Sequence, residues 1–163
     1  MPMLKKLIFL FLALLLPIVV FLFLKAFGKN EFTIPVYFEK EMAEHPTSCQ
    51  FNYVIPYSVP DSVMKAIGWK GESVVLIIAD HSPEVNRNLK HLAQEFKPED
   101  FQLISSSNTS EWDNWHSCFF FLKKPWSAVL VDTDRKIRGY YEPGSREEMD
   151  RLIVEMKILL KQY

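Results

Sequence analysis

The sequence predicts an α/β domain that follows an N-terminal transmembrane helix. Two patterns predict this fold class. An uncharged apolar run, residues 7–24, opens the chain between lysines. After it, short β-type runs alternate with amphipathic stretches at helical spacing, as in proteins built on a sheet covered by helices. With 48% hydrophobic and 14% aromatic residues, the 163-residue chain can form one globular core besides the anchor.

The apolar run is long enough to cross a bilayer. As a helix rising about 1.5 Å per residue, residues 7–24 span roughly 27 Å. A cleaved secretory signal is the alternative, but its apolar region has about 7–15 residues, and no small-x-small cleavage site precedes Lys25. Lys5 and Lys6 favour a cytoplasmic N-terminus. We therefore expect a retained single-pass anchor in the cytoplasmic membrane, with the domain on the extracytoplasmic side.

The charge of the domain excludes some partners. Without Lys5, Lys6 and Lys25, 16 of the 19 basic residues remain, against 20 acidic ones. Nucleic-acid binding needs a basic face, which a mildly acidic domain does not provide. The sequence also contains no polybasic cluster for anionic lipids. We expect no nucleic-acid partner.

The first half of the domain contains a β-α-β pattern. Two aromatic stretches interrupted by prolines, residues 32–38 and 51–59, favour edge strands or extended connections. Residues 73–80 form a continuous apolar run, typical of a strand buried on both faces. Apolar residues at helical spacing predict a helix over 83–96, and residues 101–105 predict the next strand.

The second half contains a β-β-α pattern. After a polar linking segment, which predicts a short helix from Thr109 or Ser110, residues 127–132 read as a buried strand and 137–142 as its hairpin partner. An S-x-x-E capping box from Ser145 then opens an amphipathic helix. The predicted divisions are a cytoplasmic tip and anchor (1–28), a linker or extended segment (29–50) and the domain (51–163).

Cys49 and Cys118 both fall in the exported part of the chain. An oxidising compartment favours a disulfide between them. His116 lies two positions before Cys118, so the alternative is a soft-metal site, for example for copper, formed by these three side chains. The distance between the cysteines cannot be read from the sequence, and both alternatives stay open.

The polar corner between the predicted strand 73–80 and helix 83–96 is a candidate reactive position, because a helix N-terminus stabilises an anion. It reads Asp80-His81-Ser82-Pro83. Ser82 before Pro83 is typical of a helix N-cap, with proline at the first helical position. His81 beside Asp80 is either a metal ligand or general base, or a solvated side chain.

The last part of the chain, "SAVLVDTDRKIRGYYEPGSREEMDRLIVEMKILLKQY", carries a family resemblance. With the element order, it resembles the thioredoxin fold and, more narrowly, the membrane-anchored Sco/SenC family of cytochrome c oxidase assembly proteins. The hairpin pattern LVD-x-x-x-x-I-R-G-Y-Y followed by an acid-capped helix carries the likeness, which covers residues 51–163. The resemblance implies a thioredoxin-like sheet and the position of the family's cis-proline for Pro125, whose isomer stays open because most X-Pro bonds are trans.

Family members carry C-P-x-x-C at the first strand-to-helix corner, where two thiolates and a distal histidine bind copper. On this chain "SPEVN" falls at that position: Ser82 and Asn86 stand where the cysteines should be, and Pro83 matches. A hydroxyl and an amide are hard, neutral groups, whereas copper(I) prefers sulfur. The interval before "LVD", where the family histidine is expected, reads "FLKKPWSA" and has none.

Three functions fit these observations. The first is an accessory factor in respiratory oxidase or copper-site assembly that binds a protein partner, either an oxidase subunit or an assembly factor. The second is a copper-binding or thiol-redox protein using Cys49, Cys118 and His116. The third is a tethered thioredoxin-fold interaction domain unrelated to respiration. The missing corner cysteines argue against thiol-redox enzyme activity and against a cofactor there, so we favour the first.

Overall fold

The computed structural model describes residues 3–27, 33–42, 49–71, 73–105 and 110–161. The chain divides into two compact units, Met1–Phe32 and Thr33–Tyr163. The helices and strands, in chain order, are α1 (Met3–Phe27), α2 (Asp61–Ala66), β1 (Val74–Ile78), α3 (Pro83–Glu95), β2 (Phe101–Ser105), α4 (Ser110–Cys118), β3 (Ala128–Val131), β4 (Ile137–Tyr141) and α5 (Arg146–Leu159).

The first unit contains the long helix α1. Its stretch Lys5–Lys25 has a mean hydropathy of 3.3, and it is long and apolar enough to span a membrane. Pro17 lies inside the helix without ending it. Apolar side chains are exposed on all sides of α1. A helix on the surface of a soluble protein instead has a polar face toward water. The predicted apolar helix is thus present, with the dimensions of a membrane anchor.

The second unit is a mixed α/β domain built on a four-stranded sheet. The strand order is β2-β1-β3-β4. β1 pairs with β2 in parallel, whereas β3 runs antiparallel to both β1 and β4. At the centre of the sheet, Leu76 of β1 lies between Leu103 of β2 and Leu130 of β3. The α/β class predicted from the sequence is confirmed.

Alternating side chains of β1 fill two separate cores. Val74, Leu76 and Ile78 pack with α3 and α5 on one face of the sheet. Val75 and Ile77 belong to the other core, which contains α2 and a group of aromatic side chains. All five residues of β1 are buried, because helices or loops cover both faces of this strand. That arrangement explains the uninterrupted apolar run in the sequence.

The chain joins the domain earlier than the predicted boundary at residue 51. The compact unit begins at Thr33. Ile34 is buried, and the Tyr37 amide donates to the Ile137 carbonyl at 2.9 Å, so this segment follows the outer side of β4. Neither proline-interrupted stretch forms a strand in its described residues, and both run as connections.

Helix α2 is the one element of the described domain that was not predicted from the sequence. It is a short helix in which Val63 and Met64 are buried, while Asp61 and Lys65 form a surface ion pair at 2.6 Å. A helix of this length has no full amphipathic repeat, and its stability comes from tertiary packing. Its neighbours in the sequence, prolines and aromatic residues, favoured extended structure instead.

Candidate functional site

The corner between β1 and α3 is a polar turn held by hydrogen bonds among its own residues. Ser82 is the N-cap of α3, and its Oγ accepts from the Val85 amide at 3.4 Å. Asp80 holds Ser82 in turn: its two carboxylate oxygens accept from the Ser82 amide at 2.9 Å and from the Ser82 hydroxyl at 3.3 Å. Pro83 occupies the first helical position. Ser82 therefore has the capping role that its sequence context predicts.

Asn86 lies one turn into α3 on the same corner. Its amide N–H donates to the Ser82 carbonyl at 3.0 Å, and its side-chain Nδ2 donates to the His81 carbonyl at 3.0 Å. Ser82 and Asn86 are thus engaged in holding the backbone of the turn. These donors do not fit the copper ion that the family resemblance implies, because they supply a hydroxyl and an amide in place of two thiolates.

A second loop packs against the corner. The Lys124–Pro125 peptide bond is cis, and Pro125 lies three residues before β3 begins at Ala128. Ser127 fixes the end of this loop: its carbonyl accepts from the Ala79 amide at 2.8 Å, and its amide donates to the Tyr141 carbonyl at 3.0 Å. Pro125 therefore has the isomer of the family's proline and stands beside the end of β1.

A cavity of about 740 Å³ lies between the corner and this loop. It falls within the range of ligand-binding clefts, about 300–1,000 Å³. It is lined by Ala79, Asp80, His116, Leu122, Lys124, Pro125, Trp126, Ser127 and Glu142. The lining combines an apolar surface from Leu122, Pro125 and Trp126 with charged groups of both signs.

Two buried polar atoms on residues of the cavity wall have no hydrogen-bond partner in the described part of the chain. They are Nε2 of His116 and Oγ of Ser127. Lys124 lies beside them on the cavity wall and is exposed. Buried polar groups are nearly always paired in folded proteins. Unpaired groups on one cavity wall are therefore available to a ligand that supplies donors and acceptors.

His116 links helix α4 to this cavity. Burial lowers the pKa of its imidazole below the usual value of 6.5; Asp113 opposes this effect, and His81 adds to it. Its ring lies 5.5 Å from that of Trp112. The neutral imidazole is favoured at neutral pH, so it can donate or accept one hydrogen bond through each nitrogen according to its tautomer.

The cysteines form a disulfide. Cys49 and Cys118 are bonded with their Cα atoms 5.5 Å apart, and the described cysteines include no free thiol. Of the two alternatives for this pair, the structure therefore contains the disulfide. In this form neither sulfur is a thiolate, so Cys49, Cys118 and His116 do not assemble the alternative copper site. Within the described residues, no group of three or more His, Cys, Asp and Glu side chains is placed to hold a metal ion.

The structure brings together Asp80, His116 and Pro125 from the predicted set, on one cavity wall. Cys49 and Cys118 lie apart from that wall. Lys124, Trp126 and Glu142 also line the cavity, although none of them was predicted as a site residue. Lys124 and Trp126 flank Pro125, and this position was the sequence signal that could have identified them as site residues. Glu142 follows β4, and only the strand order places it here.

Comparisons with family models, with curated proteins and with solved structures find no match to this chain.

Proposed function

We propose that this chain is a membrane-anchored, thioredoxin-like protein of the Sco/SenC type that acts by binding a partner polypeptide. The element order supports the thioredoxin-like part, since a β-α-β unit is followed by a β-β-α unit on one mixed sheet. The corner residues hold the turn together, so we do not assign thiol or copper chemistry to them.

The observation that carries the binding function is the cavity beside Lys124–Pro125. Lys124 is an exposed residue of the cavity wall, and the backbone of an extended segment can pair with a wall of this kind as a strand does. Leu122 and Trp126 supply apolar contact, while His116 and Ser127 supply unpaired polar atoms. This mixture favours a polypeptide over a purely apolar ligand.

We further propose that the domain faces the extracytoplasmic side and that its partner belongs to respiratory oxidase or copper-site assembly. The Cys49–Cys118 disulfide supports the location, because such bonds persist in oxidising compartments. Lys5 and Lys6 before α1 support the orientation. The respiratory role rests on the LVD-x-x-x-x-I-R-G-Y-Y resemblance alone.

Site-specific photocrosslinking in native membranes tests the binding function. A photoreactive amino acid replaces Lys124 and, as the matched control, Lys97, an exposed lysine beyond the end of α3. We expect a discrete crosslinked polypeptide at position 124 that is absent at position 97. No product at position 124, or the same product at both positions, would contradict the proposal that the cavity beside Lys124 binds a polypeptide.

Mass spectrometry of the crosslinked product tests the respiratory part separately. An oxidase subunit or an oxidase assembly factor would support it. Deletion of the chain should then lower oxidase activity in the same membranes. Unchanged oxidase activity together with a crosslinked protein of another class would reject the respiratory role and leave the tethered interaction domain.

A further inference from the structure

We propose that the apolar segment, residues 51–56, is a lipid-contacting surface that rests on the bilayer holding α1. Its exposed side chains are Phe51 at 41%, Val54 at 72% and Ile55 at 46% of their full areas. From Cys49 to Pro60 the sequence contains no Asp, Glu, Lys or Arg. Apolar side chains that are exposed together in one surface patch mark interaction sites more often than scattered ones. The inference depends on the membrane-anchor part of the proposed function.

The apolar segment is held in place at both ends. Cys49 is bonded to Cys118 at the end of α4, and the Tyr53 hydroxyl donates to the Cys118 carbonyl at 2.9 Å. Beyond it, the Tyr57 hydroxyl donates to the Phe119 carbonyl at 2.7 Å. These attachments prevent the segment from turning its apolar side chains inward. Val54 and Ile55 therefore stay exposed to water unless lipid or another protein covers them.

The position of the apolar segment favours lipid as the material that covers it. The Tyr57 amide donates to the Phe38 carbonyl at 3.0 Å, and the two rings lie 6.3 Å apart. The segment thus adjoins the stretch through which the chain enters the domain. Residues 28–32 alone separate α1 from Thr33, and a stretch of that length spans about 20 Å when fully extended. A bilayer around α1 is therefore within reach.

The chemistry of the apolar segment fits the interfacial zone of a bilayer. Aromatic and branched apolar side chains partition into the boundary between headgroups and acyl chains without help from charge. The segment carries no basic residue, so the contact should occur equally on neutral lipid. A protein partner or a second copy of the chain would cover the same side chains without requiring lipid.

The test places an environment-sensitive fluorophore on single added cysteines in the full chain, reconstituted in phosphatidylcholine nanodiscs. Val54→Cys reports on the apolar segment. Val154→Cys is the matched control, since Val154 is 56% exposed and lies on α5, which packs on the opposite face of the sheet. Leu15→Cys, within α1, reports separately on insertion of the anchor. Peptide mapping verifies that Cys49 and Cys118 remain bonded.

Lipids carrying a nitroxide near the headgroup should quench position 54 about threefold more strongly than position 154, because interfacial side chains lie about 5–10 Å into the boundary. Equal quenching at 54 and 154, with Leu15 in lipid, would overturn this inference and leave the anchor intact. A blue-shifted emission at 54 that nitroxide lipids do not quench would also overturn it, in favour of a second copy. A water-exposed Leu15 would reject the anchor and this inference together.

Discussion

The Asp132 carboxylate accepts a hydrogen bond from Arg138 Nε at 2.7 Å, across the hairpin that joins β3 to β4. Asp132 is 4% exposed, and its other oxygen accepts from the Asp134 and Lys136 amides at 2.9 and 2.8 Å. Arg138 in turn donates to the Ile34 carbonyl at 2.9 Å. The pair therefore fixes both the hairpin and the stretch through which the chain enters the domain.

Asp132→Asn should lower the free energy of unfolding by about 3 kcal/mol, because it leaves the mostly buried Arg138 guanidinium without its counter-charge. Asp134→Asn is the control: Asp134 is exposed, and its side chain should contribute no more than about 0.5 kcal/mol. Denaturant unfolding of the full chain in mild detergent, followed by tryptophan fluorescence, measures both. Equal midpoints for the two variants would contradict the structural role of the pair.

Gly139→Ala should destabilise the domain by about 1–3 kcal/mol. A Cβ at this position would lie well inside van der Waals contact of the Tyr141 hydroxyl and ring. Tyr141 cannot move away, because its hydroxyl bonds to Glu155 and the Arg151 guanidinium lies 4.7 Å from its ring centroid.

Gly144→Ala is the control for that substitution. The nearest atom to its added Cβ would be a methyl carbon of Val85 at 4.0 Å, which is ordinary contact. The thermal midpoint of Gly144→Ala should match or slightly exceed that of the wild type. If Gly139→Ala is as stable as Gly144→Ala, the close approach of Tyr141 is not a constraint on residue 139.

Reduction of the Cys49–Cys118 disulfide should lower the free energy of unfolding by about 4 kcal/mol, since the bond closes a loop with a sequence separation of 69. Unfolding with and without reductant measures the difference. The double variant Cys49→Ser with Cys118→Ser should be insensitive to reductant. A wild-type midpoint that does not change on reduction would indicate that the hydrogen bonds of Tyr53 and Tyr57 hold the segment without the disulfide.

Stability should fall in mild acid because of His116. Burial depresses the pKa of this imidazole, so between its folded pKa and the unfolded value of 6.5 the unfolded chain binds a proton that the folded chain does not. The contribution of the neutral His116 to the free energy of unfolding is thus fully present above pH 6.5 and declines as the pH falls below that value. Unfolding curves at about pH 7.5 and 5.5 should show a smaller decline for His116→Gln than for the wild type. An identical decline would place the acid sensitivity elsewhere.

Elements with a complete local signal were predictable from the sequence. The run at β1, the capped helices at Ser82 and Ser145, and the hairpin at residues 128–141 each carry a pattern within a few neighbours. α2 was not predictable, because a short helix held by two buried side chains, Val63 and Met64, has no repeat of its own.

The candidate site was predictable only in part. Asp80, Ser82 and Asn86 share one corner, so their proximity follows from spacing along a helix turn. Lys124 and Glu142 reach the same cavity because β3 lies beside β1 and β4 beside β3. Such pairings join residues far apart in the chain, and a single sequence does not specify them. The disulfide also depended on a spatial approach that spacing does not reveal.

Under the proposed Sco/SenC relationship, Ser82 and Asn86 stand at the positions of the two sulfur ligands of a copper-binding corner. A copper(I) titration of the full chain against a competing chelator tests it most directly. The wild type, Ser82→Cys and the double variant Ser82→Cys with Asn86→Cys are compared, each with its Cys49–Cys118 bond verified. Ser82 and Asn86 are one helical turn apart, with the Asn86 amide 3.0 Å from the Ser82 carbonyl, so two thiolates there can share one ion.

We expect about one copper(I) per chain for the double variant, with only weak binding by the wild type and by Ser82→Cys, because copper(I) requires more than one soft ligand here. Stoichiometric, tight binding by the wild type would contradict the proposal that the corner residues bind no copper. A double variant that binds no better than the wild type would contradict the Sco-type assignment of the corner.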